Sequence, residues 1–160
     1  MKGIVAYDSV YGNTRQVAEA IAEQIRSEGL EVELIVIRDE GAGPVAGDFM
    51  FAGSPTRIGR MTKETKGFLE GLDREYWKSR PIVAFDTVGP FPEDEEKRKI
   101  WLGRIEKSAA TRMRELARER GLNAHSEVLH TAVTGFKGPL ASDALTVAKD
   151  FTHRFLASLR

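Results

Sequence analysis

Cysteine is absent from the 160 residues. That excludes a disulfide framework, thiolate zinc sites, iron–sulfur ligation and a nucleophilic thiol. An excess of charge of one sign is lacking too: 24 Lys and Arg match 24 Asp and Glu. No net field therefore draws the chain to nucleic acid or to an anionic membrane surface. No apolar run approaches the length needed to span a bilayer. Residues 1–7, MKGIVAY, enter strand-like sequence at once, without the apolar stretch and cleavage site of a secretory leader. With no cysteine, this leads us to expect a cytoplasmic protein. His125, His130 and His153 are scattered and have no carboxylate at metal-ligand spacing, so structural or surface roles are expected. No Gly-x-Ser-x-Gly elbow points to a serine hydrolase.

What is present is a regular alternation. A hydrophobic share of 41% suits one continuous core, and the length suits a single domain over 1–160. Short apolar runs alternate with amphipathic stretches, the pattern of an α/β protein with a parallel sheet and crossover helices. Strands are predicted over 3–7, 32–37, 49–53, 81–86 and 128–133. A helix is predicted from Thr14, with Val17, Ala18, Ile21, Ala22 and Ile25 on one face and Gly29 at its end. Residues 38–47, rich in Gly and Pro, are too short for an ordinary crossover helix and predict an abbreviated turn. Further helices are predicted over 62–72, over 95–120 with an apolar stripe of Ile105, Ala109, Met113 and Leu116, and at the C-terminal end through Ala144, Ala148, Phe151, Phe155 and Leu159. Nine Lys and Arg lie between 97 and 120, but Glu106, Glu115 and Glu119 interrupt them, as on a solvated face. Trp77 and Trp101 lie beside helical segments and predict packing roles.

In open parallel sheets, ligands bind beyond the carboxyl ends of the strands, where the chain order reverses. Three loops therefore matter. The first, Ser9, Val10, Tyr11, Gly12, Asn13 and Thr14, leads from strand to helix. Free N–H groups at a helix start can hold a phosphate without Lys or Arg, Ser9 and Thr14 add hydroxyls, and Gly12 lets the loop wrap a small anion. Alone, such a loop also suits a plain turn and helix cap. The second runs over residues 53–62 after the third strand and includes Ser54, Pro55, Thr56, Arg57, Ile58 and Gly59. The third runs over residues 87–96 after the fourth and includes Thr87, Val88, Gly89, Phe91 and an acidic run, Glu93 to Glu96, that suits a solvated helix start.

With both of the first two loops in place, the chain resembles the flavodoxins. Their phosphate loop reads Ser/Thr-x-Thr-Gly-x-Thr after the first strand, and Ser9, Gly12, Asn13 and Thr14 match it. Tyr11 at the third position, together with residues 54–59 and Phe68-Leu69, is similar to the tryptophan-repressor-binding-protein branch of NAD(P)H:quinone oxidoreductases. Ile58 stands where that branch carries an aromatic residue, and the fourth-strand loop departs from both groups. The resemblance implies a flavodoxin-like three-layer sandwich with a five-stranded parallel sheet in the order 2-1-3-4-5. It implies non-covalent FMN, with residues 9–14 on the phosphate and Pro55, Thr56, Arg57, Ile58 and Gly59 along the isoalloxazine. Backbone N–H groups near 57–59 suit the ring edge, and Gly59 would let a peptide rotate as the flavin gains a proton. Thr87, Val88 and Gly89 occupy positions expected to meet the flavin edge; Phe91 suits a ring face and a core anchor equally.

Three functions follow from these residues. One is an electron carrier docking to a redox partner protein. The second is an NAD(P)H:quinone oxidoreductase acting on a small quinone, a branch whose members form homo-oligomers covering the flavin. The third is an interaction or sensor domain without tight FMN binding. A phosphorylated receiver domain shares the strand order but needs an Asp at the end of the third strand, where Gly53-Ser54-Pro55 stands. That reading fails. No side chain is expected to serve as a catalytic acid or base, and neither a metal nor a nucleic acid is expected as a ligand.

Overall fold

A computed structural model describes residues 1–40, 44–89 and 94–160. Its strands are β1 (Lys2–Tyr7), β2 (Glu31–Val36), β3 (Phe49–Pro55), β4 (Ile82–Val88) and β5 (Leu129–Ala132). All pairings are parallel, in the order β2-β1-β3-β4-β5. This is the expected sheet, and the order reverses between β1 and β3, which places a crevice at their carboxyl ends.

Successive side chains on a strand point to opposite faces, and here both faces are covered. Val5, Phe49, Phe51, Val83 and Phe85 point to one layer, packed by α1 (Asn13–Ser27) and α7 (Ala144–Ser158) through Val17, Ile21, Ile25, Phe151 and Phe155. Ile4, Ala6, Met50, Ala52, Ile82 and Ala84 point to the other. There they meet Phe68 and Leu69 of α3 (Lys63–Glu70), Trp77 of α4 (Arg74–Trp77), and Met113 and Ala117 of α6 (Ala109–Glu119). Burial on both sides explains why β1, β3 and β4 read as nearly unbroken apolar runs, whereas the edge strand β2 alternates Glu31 and Glu33 with apolar residues.

The predicted abbreviated turn after the second strand is the single-turn α2 (Ile37–Glu40) as far as the described residues reach. The short α4 was not anticipated. Asp73 accepts from the amides of Glu75 and Tyr76, and the fully buried Trp77 donates Nε1–H to the Val45 carbonyl at 3.3 Å.

The helix expected over 95–120 is divided into α5 (Glu95–Ile105) and α6. The division has a tertiary cause. The Ala109 amide donates to Thr56 Oγ1 at 3.1 Å and the Ala110 amide to Asp86 Oδ2 at 2.9 Å, so side chains from β4 and the loop after β3 hold a new helix start. Of the expected stripe, Ala109 and Met113 are buried, whereas Ile105 and Leu116 are half-buried. α5 has no buried residue.

Candidate functional site

Loops from the carboxyl ends of β1, β3, β4 and β5 converge on a cleft of about 590 Å³, a size common for cofactor sites. Beneath it lies Asp8, fully buried, its carboxylate gripped by Arg38 through Nε–Oδ1 and Nη2–Oδ2 bonds of 2.9 Å each and by the Thr62 hydroxyl. Burial alone would raise this carboxyl's pKa, but the Arg38 and Thr62 hydrogen bonds and the Arg38 charge outweigh it and hold the group below its ordinary value. Asp8 thus anchors the floor and does not face the cleft.

From Asp8 the chain turns sharply into α1. Gly12 takes φ 92°, a conformation open to glycine at no steric cost, and the helix starts at Asn13. Ser9 Oγ accepts from the amides of Gly12 (3.1 Å) and Arg15 (3.3 Å), which leaves its own proton available. The amides of Tyr11, Asn13 and Thr14 have no acceptor among the described residues. Such donors at a helix start suit an anion. Thr14 Oγ1 pairs with Thr87 Oγ1 at 3.0 Å, which joins the first and third loops at the cleft floor. The Asn13 side chain donates Nδ2–H to the Lys137 carbonyl at 3.1 Å, which ties the first loop to the one after β5.

The second loop is closed at its base by the buried Ser54, whose hydroxyl accepts from the Thr62 amide at 3.0 Å. At its tip Arg57 and Arg60 exchange backbone hydrogen bonds of 2.8 and 3.0 Å. Ile58 (φ 52°) and Gly59 (φ 71°) form the turn between them. Positive φ at both central residues is the mark of a type I′ turn, in which Asn-Gly is favoured; a β-branched residue there is strained. The turn still holds Ile58 fully exposed beside the cleft.

Of the sequence-predicted residues, Ser9, Val10, Tyr11, Asn13, Thr14, Pro55, Thr56, Arg57, Ile58, Thr87, Val88 and Gly89 all line this cleft. Gly12 and Gly59 shape the turns without lining it, and Phe91 lies outside the described residues. Sequence reasoning missed the loop after β5, which adds Val133, Gly135 and Phe136. An apolar Phe136 flanked by Gly135 and Gly138 directly after a strand was the available signal. Among the described lining residues Arg57 alone is charged, so the walls are hydroxyls, amides and apolar carbon. A second hollow of about 520 Å³ shares Val88 and Gly89 with the cleft and is lined also by Lys97, Ile100, Trp101, Arg104, Ile105 and Ser108.

Comparison with known proteins agrees with this geometry. The family described as Flavodoxin domain matches residues 4–158. The chain belongs to the flavodoxin domain family. A curated flavodoxin of Aquifex aeolicus is 36% identical over 93 residues, covering 55% of this chain and 50% of the relative. The match thus spans about half of that relative's length. Among solved structures, oxidised Flavodoxin 1 from Bacillus cereus superposes on this flavodoxin domain with a TM-score of 0.75 at 20% identity, covering 100% of both chains. A flavodoxin, WrbA-like protein from Agrobacterium tumefaciens gives a TM-score of 0.63 at 18% identity, covering 98% of this chain and 96% of that one. At those identities the structural matches speak for the fold. FMN is the cofactor of flavodoxins.

Proposed function

We propose that this flavodoxin domain holds FMN without a covalent bond in the 590 Å³ cleft and serves as an electron-transfer flavoprotein. One observation carries the reading: a loop of unpaired amides meets two further loops, predicted to border a flavin ring, across one shared space. The donor set fits the cofactor. Neutral N–H and hydroxyl groups at residues 9–14 suit a phosphate, and flat apolar contacts from Tyr11, Ile58, Val88 and Phe136 suit a tricyclic ring. When bound, FMN supplies one- and two-electron redox chemistry. The chain's own residues bind and orient: Ser9 and the amides of Tyr11, Asn13 and Thr14 donate to the phosphate, while residues 55–59 and 87–89 border the ring. Among the described residues, hydroxyls, amides, apolar side chains and Arg57 line the cleft.

Titrating flavin-free protein with FMN tests this directly. The expected result is a shifted flavin absorption spectrum and a Kd of micromolar or tighter, about 8 kcal/mol or more. A folded protein that takes up no FMN overturns the reading and restores the interaction or sensor domain.

A second reading, an NAD(P)H:quinone oxidoreductase, is favoured by the adjoining hollow. Its apolar walls of Ile100, Trp101 and Ile105 and its cations Lys97 and Arg104 suit a flat molecule with an anionic group next to the cleft. Rapid anaerobic bleaching of the flavin by NADPH supports this role, and inertness towards pyridine nucleotides supports the carrier.

A further inference from the structure

The mouth of the cleft carries exposed apolar side chains from three different loops. Tyr11, Ile58 and Phe136 stand at 44%, 101% and 79% exposure. The rings of Tyr11 and Phe136 meet at 5.7 Å between centroids. A single exposed apolar residue is ordinary, but three converging on one site form a contact surface.

The charges held against the Tyr11 ring are positive. The Arg57 guanidinium lies 5.9 Å from the Tyr11 ring centroid and the Lys137 ammonium 5.6 Å from the same ring. Arg60, at the foot of the 57–60 turn, is exposed. Arg57, Arg60 and Lys137 make no ion pair among the described residues, in contrast to Arg15, which is paired with Glu19 at 2.8 Å. The rim loops themselves, residues 9–12, 55–60 and 133–138, contain Arg57, Arg60 and Lys137 and no Asp or Glu. The run leading into α5 carries Glu93, Asp94, Glu95 and Glu96, followed at once by Lys97, Arg98 and Lys99, and so leaves one excess negative charge against the three rim cations. In a chain of zero net charge, the cleft end is thus a local positive patch.

We propose that this patch docks an acidic protein, one presenting carboxylates around an apolar contact, and that it does so as the electron partner of the reading above, on which the partner's redox role rests. An apolar centre with a charged rim is the usual arrangement of a specific interface. Two of the cations are already held against the Tyr11 ring, which lowers the ordering cost of pairing them with carboxylates. With no net charge to attract a partner from a distance, the patch supplies the steering and selects the sign of the partner.

The test uses the full chain saturated with FMN, with an acidic plant-type ferredoxin as one probe and basic cytochrome c as the other. Association is followed by calorimetry from about 0.01 M to about 1 M salt, across which the screening length falls from about 30 Å to about 3 Å. The expected result is ferredoxin binding that weakens at least about tenfold with salt, with no measurable binding of cytochrome c. The Arg60→Glu, Lys137→Glu double variant is expected to weaken ferredoxin binding at least about tenfold at low salt, whereas Lys78→Glu, just before β4 at the opposite end of the sheet, leaves it unchanged. Preferential binding of cytochrome c, no binding of ferredoxin, or equal loss with Lys78→Glu overturns the proposal. Flavin occupancy is read separately from absorption, so failure to take up FMN counts against the cofactor reading alone.

Discussion

Ile58 illustrates how much can rest on a single residue. Its φ of 52° places a β-branched side chain in the left-handed region, at a cost of about 1–3 kcal/mol, and its full exposure gives no burial in return. Ile58→Asn creates the Asn-Gly pair that a type I′ turn favours. It is expected to raise the stability of the flavin-free protein by about 1 kcal/mol, or about 2–4 °C in Tm. Thermal unfolding checks this. A neutral or destabilising result would mean that the turn is not strained. The same substitution removes apolar contact from the cleft mouth, so tighter folding is expected alongside weaker FMN binding. No local pattern around Ile58 announces such a turn, because the favoured Asn is absent from the sequence there.

At the level of elements, the junction between α5 and α6 shows where local reading reaches its limit. The strands, α1 and α7 were legible because their apolar periods coincide with their burial, as Val17, Ile21 and Ile25 do. The α5–α6 break was not, because the groups that cap α6 lie 53 residues away at Thr56 and 24 away at Asp86. Asp86 is fully buried and serves three partners: the Ala110 amide, the Thr56 hydroxyl at 3.3 Å and His130 Nδ1 at 2.9 Å. Asp86→Ala leaves all three without it and is expected to cost about 2–4 kcal/mol. Urea unfolding measures the loss, and hydrogen exchange should show it concentrated in the first turn of α6. A loss below about 0.5 kcal/mol would mean that this carboxylate does not set the start of the helix.

For the molecule as a whole, the loops singled out from the sequence come together around one cleft because parallel sheets present their carboxyl-end loops at one edge. Twelve of the residues singled out do line it. What sequence reasoning missed, Val133, Gly135 and Phe136, belongs to a loop brought in by the Asn13–Lys137 contact across 124 residues, which no window on the sequence reveals. Global stability also carries a pH signature. Burial lowers the pKa of His125 from its ordinary 6.5, so the unfolded chain takes up that proton first and stability declines as pH falls below about 6.5. Asp8 is held below its ordinary 3.8; its contribution is complete above that value and is lost as pH falls through the lowered one. Acid is therefore expected to weaken the fold in two stages, and His125→Gln to remove the first. Unfolding midpoints measured across the acid range check both, and a midpoint flat from neutrality down to the carboxylate range in the parent chain would contradict the first stage.

The uncapped start of α1 has a practical corollary. Grip on a doubly ionised ester through short-range, uncharged amides responds only weakly to brine, whereas attraction through surface cations fades with it. Washing an immobilised sample with concentrated salt is thus expected to elute protein companions while the yellow pigment stays behind.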